Sequence, residues 1–439
     1  KDRPEKKDGA YTIFYMGVNA GAFLGILLCG YLGEQIGWNW GFGLAGIFMF
    51  FGLVQFWLSQ NIFGDIGLKP VKKEVAATDE NNDKLNPFTT GQLALIGIMI
   101  TLGLAWIIFE PAKIISEGAV DIFNFEVFGL SGNNFTILLA LVLFLSLLVY
   151  RLMNYSQITK EKMIAVTFFA FLTIFFWAIF EQSPGTLTIF AKDYTNRVLE
   201  GNAGLVFKII NAAITIVPLG IITWVLLLLY KQTFKTYAIA NIVLSLSFII
   251  VWGIAIWMLK NQFSEDSLEV PASWFSTLNS LFIISLAPLF SKWWESKYNP
   301  SANYKYAIGM GLLAIGMICV AIGADGIEPG AKSASVSMIW LILVYFFMTM
   351  AELCISPVGL SYVSKLVPPR MIAMMFGIWY LAVAIGMKGA AKFGENIDKI
   401  ADENGLSYFF WMLAIISISV ALFSILMGSV IKKLMHGVR

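Results

Sequence analysis

Long apolar runs separated by short charged stretches set the pattern of this chain. A hydrocarbon core about 30 Å thick takes roughly 20 residues of helix to cross. Twelve segments suit that task, over approximately 11–32, 42–58, 92–109, 135–150, 163–190, 205–230, 237–259, 274–293, 306–322, 335–366, 371–391 and 408–431. Helices are expected because backbone facing lipid must satisfy its own hydrogen bonds, and the alternating pattern of a membrane barrel is absent. The fold class is therefore an all-α polytopic membrane bundle. The longest polar interval, 61–90, contains VKKEVAATDENNDK without apolar periodicity and is expected to be a mobile linker. Trp38 and Trp40 at one span boundary, and Trp293 and Trp294 at another, fit anchoring in the membrane interface.

Charge placement supports this count. With the N-terminal stretch in the cytoplasm, 21 of the 30 Lys and Arg fall in loops on that side and 8 on the other, with Lys208 inside a span. One span too many or too few would scramble that bias, which is the positive-inside pattern. Both ends of the chain are then cytoplasmic. A chain that is 58% hydrophobic and 13% charged, with mean hydropathy +0.75, is excluded from the ordinary soluble class. Its net charge of +2 gives no reason to expect nucleic acid as a partner.

Cys29, Cys319 and Cys354 lie inside apolar runs and suggest neither disulfides nor a metal site, so no cofactor is expected. His436, the only histidine, falls in the C-terminal tail, where solvation is expected, and no HExxH or HxxxxD pattern exists to support a membrane-embedded enzyme. Beginning with Lys1 and a charged loop without a signal-peptide pattern, the chain reads as incomplete.

Polar residues at membrane depth are the functional candidates. Gly17, Gly21 and Gly25 share a helix face that would allow close packing, and Asn19, about 200° around from Gly17, points the other way, toward a cavity or a helix-to-helix hydrogen bond. Glu181, in FFWAIFEQSPGTLTIF, sits about four residues past its span centre, one turn beyond Trp177. Withdrawal from water favours a neutral carboxyl and suits Glu181 to proton exchange, unless it serves a structural ion pair. Pro184 is expected to kink this helix and open that face to water. Glu352 lies near the centre of its span with Ser356 one turn later, and Asn279 and Trp379 reach similar depth, although a lone Trp also suits lipid or core packing. At 1.5 Å per residue, Asn19, Glu181, Asn279, Glu352 and Trp379 fall within about 8 Å of one plane, as expected of a midplane transport site. Glu110, Asp325 and Glu395 are expected at hydrated span ends, and Lys208 and Lys388 are expected to snorkel outward.

Five ordered motifs carry a family resemblance: FYMGVNAGAFLG, FFWAIFEQ, WFSTLNSLFI, ELCISPVGLSYVSKLVP and MMFGIWYLAVAIG. Together they resemble the signatures of the proton-dependent oligopeptide transporters of the major facilitator superfamily, in a bacterial form without the first four helices. The resemblance implies a symporter that imports di- and tripeptides with protons across the bacterial inner membrane, with lipid around it and no obligate protein partner. It implies proton coupling for Glu181, capture of the peptide amino group by Glu352, and hydrogen bonding of peptide termini or backbone by Asn19 and Asn279. Trp177, Ser356, Trp379 and Tyr380 would line the side-chain pockets, and Asp193 would join an extracellular gate ion pair.

The chain departs from the family pattern in several places. The family's ExxER helix and its fourth-helix Lys are absent, Ser280 replaces the usual Pro after Asn279, and Ser183 and Pro184 follow the FEQ motif. The implied organisation is a remnant of the N-terminal bundle at 1–60, a cytoplasmic linker at 61–90, an inserted helix pair at 91–160, the first helix of the C-terminal bundle at 161–200, a second inserted pair at 201–262 and the remaining bundle at 263–439. Two alternatives stand beside it. One is a carrier of the same fold for an amino acid, nitrate or a drug. The other is a fragment that does not transport by itself.

Overall fold

A computed structural model describes residues 7–64, 86–265, 267–367 and 371–438. Most of the expected linker, 65–85, lies outside the described residues. In chain order the helices are α1 (Lys7–Gln35), α2 (Trp38–Ser59), α3 (Thr90–Ile115), α4 (Gly132–Leu152), α5 (Gln157–Phe180), α6 (Gly201–Thr233), α7 (Ala238–Ser264), α8 (Thr277–Glu295), α9 (Ala302–Gly323), α10 (Ile339–Leu366), α11 (Ile372–Glu395), α12 (Ile397–Asn404), α13 (Leu406–Leu426) and α14 (Gly428–Leu434). Among the described residues twelve are long and apolar enough to cross a membrane, and the protein is a multi-pass membrane protein. Every expected span coincides with one of them.

Boundaries shift where local bonding overrides hydropathy. α10 starts at Ile339 rather than 335 because Val336–Ser337 pairs in parallel with Thr195–Asn196. The span expected at 408–431 is two helices, α13 and α14, meeting at Met427.

The core lies among α5, α9, α10, α11 and α13, where Met310, Leu313, Met317, Leu341, Val344, Phe409 and Leu413 are wholly buried. The outside is equally apolar. α3 has no buried residue, α2 buries only Gly41 and Leu44, and Met49 of α2 is 76% exposed. Such a surface is stable against hydrocarbon and not against water.

Helices approach closely where side chains vanish. On α9, Gly309, Gly316 and Gly323 recur every seven residues along α10. A Cβ added there would stand 2.7 Å from Ile355, 3.3 Å from Phe347 and 2.6 Å from Trp340. Lipid offers no hydrophobic drive to helix pairing, so such close van der Waals contact is the available glue. Gly386 of α11 does the same against α5, where its Cβ would fall 2.6 Å from the Ile174 carbonyl oxygen. The expected stripe on α1 behaves in the opposite way. Among the described residues nothing outside its own helix backbone lies within 4 Å of a Cβ at Gly17, Gly21 or Gly25, whereas Asn19 is buried. Gly21 and Gly25 line an open cleft of about 1110 Å³ with α2 and α7, so the glycine face is the open one and the asparagine face the packed one.

Polar pairs tie α6 to α7. Asn211 donates to Gln262 Oε1 at 2.8 Å, and the Trp252 indole N–H donates to Thr223 Oγ1 at 2.9 Å. Lys208, expected to snorkel, is instead buried and donates to the Glu265 backbone oxygen.

Gly386→Ala places a methyl group against backbone that cannot yield, so it should destabilise the α5 and α11 contact by about 1–3 kcal/mol. Gly253→Ala, with nothing within 4 Å, should be tolerated. Thermal unfolding in detergent compares the two, and equal behaviour would refute the packing argument.

Candidate functional site

The site begins where α5 breaks. Pro184 has no N–H to offer the Phe180 carbonyl, so regular helix ends at Phe180 and Glu181 sits at the break. The expected kink is a break: the chain leaves regular helix before the proline and continues in wider turns over Ser183–Leu187 and Phe190–Tyr194. Gln182 holds this junction. Its amide donates to the carbonyls of Ala178 (3.0 Å) and Ala390 (3.1 Å), and its Oε1 accepts from Thr186 (2.5 Å). The partly buried Glu181 carboxyl is thereby carried on a fixed bend and not on a continuous helix surface.

α10 meets this bend and is itself joined to α8. The Asn279 side chain on α8 donates to Glu352 Oε2 at 2.9 Å and to Thr349 Oγ1 at 3.1 Å, both on α10. Glu352 and Glu181 lie close enough to interact electrostatically. Two carboxylates within electrostatic range repel when both are ionised, and either a proton on one or a nearby ammonium group relieves that repulsion. Two turns before Glu352, the Tyr345 hydroxyl accepts from Ser183 Oγ at 3.1 Å and so fastens α10 to the bend.

A cavity of about 470 Å³ is lined by Thr173 and Trp177 of α5, Ile355 and Ser356 of α10, and Trp379 and Tyr380 of α11, with Trp177 one turn from Glu181 and Ser356 one turn from Glu352. Ser356 Oγ is buried with no hydrogen-bond partner among the described residues, which leaves it available to a ligand. Trp379 is 4% exposed and lies so close to Gly359 that any Cβ there would overlap its ring. Thr173 hydrogen-bonds the Tyr306 hydroxyl at 3.1 Å. A free hydroxyl and aromatic walls, with two carboxylates one helical turn from the lining, suit a small zwitterion or cation bearing apolar side chains.

The structure thus brings together Trp177, Ser356, Trp379 and Tyr380, and separately joins Asn279 to Glu352 beside Glu181. Asn19 is buried on α1 and is not among the residues that line this cavity. Asp193 makes no ion pair among the described residues. Its backbone oxygen accepts from Ala334 (3.1 Å), and nearby Lys332 pairs with Asp402 (3.1 Å). Lys388 does not snorkel freely but meets Glu110 at 3.4 Å over the Trp106 ring. His436 is not simply solvated, since its Nε2 contacts Glu161 Oε2 at 2.5 Å and docks the C-terminal tail to α5.

Sequence reasoning missed Thr173 and Thr349, although each lies one turn before a chosen residue and on its face. It also missed Glu34. That carboxylate on α1 accepts from the backbone N–H groups of Ala272 (2.9 Å) and Ser273 (2.8 Å), while the Trp274 indole donates to the Leu27 carbonyl oxygen (3.0 Å). These bonds close α1 against the turn that leads into α8, and no local pattern announces a carboxylate whose partners are main-chain amides 238 and 239 positions away.

Comparison with known proteins gives a consistent likeness. The sequence model of the POT family (PTR2) matches residues 1–79 and 246–393, just over half of the chain. The chain is 26% identical over 396 residues to the peptide transporter YePEPT of Yersinia enterocolitica, covering 89% of this chain and 62% of that protein. It is 24% identical over 440 residues to a di-/tripeptide transporter of Lactococcus lactis, covering 99% and 70%. It therefore spans about two thirds of the length of these relatives. Among solved structures it is similar in fold to a mutant peptide transporter POT in complex with alafosfalin (TM-score 0.63, 22% identity, 100% of this chain and 70% of that one). A POT family transporter in complex with a thioalcohol-conjugated peptide is comparable (TM-score 0.62, 20% identity, 98% and 71%).

Replacing Glu34 by Ala removes both acceptors from the Ala272 and Ser273 amides and should loosen α1 from α8. Spin labels on the ends of α1 and α8 should then report a longer or broader distance distribution in the variant; an unchanged distribution would refute this role.

Proposed function

The chain belongs to the POT family, and on that premise we propose that it is a proton-coupled symporter that imports di- and tripeptides by alternating access. The observation that carries the reading is the Asn279 to Glu352 hydrogen bond of 2.9 Å, which holds a carboxylate within electrostatic range of Glu181 and one helical turn from Ser356 on the lining of the aromatic cavity. Glu352 would take the peptide's amino group and Asn279 and Asn19 its backbone or terminal groups. Trp177, Ser356, Trp379 and Tyr380 would line the side-chain space. Glu181 would carry the coupling proton, because a carboxyl on a helix break can alter its helix contacts when its charge changes.

Since the membrane potential contributes about 2.3 kcal/mol per charge per 100 mV, protons moving with a zwitterionic peptide can drive accumulation. POT proteins are transporters and not enzymes. The distribution of Lys and Arg supports an orientation with both ends of this chain in the cytoplasm, and the bacterial relatives support the inner membrane as its place. The proposed organisation keeps α1 and α2 as part of the N-terminal bundle, α3 with α4 and α6 with α7 as inserted pairs, and α5 with α8 to α14 as the C-terminal bundle.

Glu352→Gln should weaken dipeptide binding about 10- to 100-fold, the range expected on losing a charged hydrogen bond of about 1.5–3 kcal/mol. Calorimetry with dipeptides and with single amino acids measures this, and tighter binding of the amino acids would replace peptides with another amine-bearing solute. In proteoliposomes, Glu181→Gln should abolish proton-driven uptake and leave peptide counterflow. Unaltered proton-driven uptake would remove Glu181 from the coupling role.

A further inference from the structure

A second cavity, of about 520 Å³, lies between α3, α4 and α11, away from the carboxylates of the transport site. Its walls are hydrocarbon, among them Ile96, Gly103, Phe144 and Leu381, and the one charged group on its lining is Arg151. Arg151 is only 4% exposed. It donates through Nη1 to Gln92 Oε1 (2.8 Å) and through Nη2 to the Asn86 carbonyl oxygen (2.6 Å), and its guanidinium lies 3.8 Å from the centre of the Phe88 ring. All of these partners are neutral. Nε is buried without an acceptor, and no carboxylate of the described residues lies within ion-pair distance of the side chain.

A buried guanidinium held by neutral partners keeps an uncompensated charge and an unspent donor, at a cost that an anion would remove. The rest of the cleft asks for hydrocarbon. From Arg151 to Ile137 along α4 it runs for about 21 Å at 1.5 Å per residue, more than the roughly 15 Å of one leaflet's hydrocarbon, so a whole acyl tail fits along it. A helix of another protein does not fit, since that length of a cylinder about 10 Å across occupies roughly 1600 Å³. Arg151 stands in the last turn of α4, near a membrane face, where headgroups lie.

We propose that this cleft is a binding site for one anionic phospholipid, whose phosphate meets Arg151 and whose tail lies between α3, α4 and α11. The lipid would bridge the α3 and α4 pair to α11, alongside the contact of Glu110 with Lys388.

The test is native mass spectrometry of the purified protein in detergent, with phosphatidylglycerol and phosphatidylcholine of matched tails as probes. Wild type should retain phosphatidylglycerol with a preference of roughly fivefold or more, the ratio equivalent to about 1 kcal/mol per basic group. Arg151→Gln should lose that preference. Gly103→Leu, which fills free space in the wall and keeps Arg151, should lose retention of both lipids, and it decides the matter if the arginine variant fails to fold. Glycerol phosphate should not displace the lipid at equal concentration. Equal retention of the two lipids by wild type, undiminished preference in Arg151→Gln, undiminished retention in Gly103→Leu, or displacement by glycerol phosphate would each overturn the proposal.

Discussion

Close contact between helices without side chains between them is the constraint on which this molecule rests. Hydrocarbon solvates a leucine as well as another helix does, so burial of apolar surface cannot by itself assemble the bundle. What remains is dispersion at short range, and glycine provides it. Gly309, Gly316 and Gly323 bring α9 against α10, and Gly386 brings α11 against α5. These two contacts hold α5, α10 and α11, the three helices that line the aromatic cavity, with α9 backing α10, and the Trp379 ring keeps its place because Gly359 offers no Cβ to displace it.

Polar groups at depth are costly, and the structure uses several of them to hold geometry. Gln182 pins the break in α5 to α11, Tyr345 and Ser183 pin α10 to the same break, and Asn279 joins α8 to α10 through Glu352. Among the described residues several buried polar atoms keep unused capacity, and the ones that lie on the linings of the aromatic cavity and of the α3, α4 and α11 cleft are the Ser356 hydroxyl and the Arg151 Nε. In a low-dielectric interior an unsatisfied group either destabilises the fold or waits for a ligand.

α1 shows how far local pattern can mislead. A four-residue glycine repeat and an asparagine on the opposite side permit two assignments of inside and outside, and periodicity has no means of choosing between them. In the structure the asparagine side packs while the glycine side faces an open cleft. The α9 glycines, seven apart and embedded in an ordinary apolar run, were equally present in the sequence, but their meaning depends on Ile355, Phe347 and Trp340 standing opposite.

The chain alone determined the twelve crossings, because backbone hydrogen bonding and membrane thickness act on each segment independently of its neighbours. It also marked Glu181, Asn279, Glu352 and Trp379, since a polar or amphipathic group in an apolar run is conspicuous wherever the run ends up. Tertiary structure decided the rest: which carboxyl meets which amide, that α5 breaks before Pro184, that Glu34 reaches main-chain amides of a distant turn, and that Arg151 ends up buried among neutral partners. These depend on side chains far apart in sequence arriving at hydrogen-bonding distance, and no periodicity along one segment encodes the position of another.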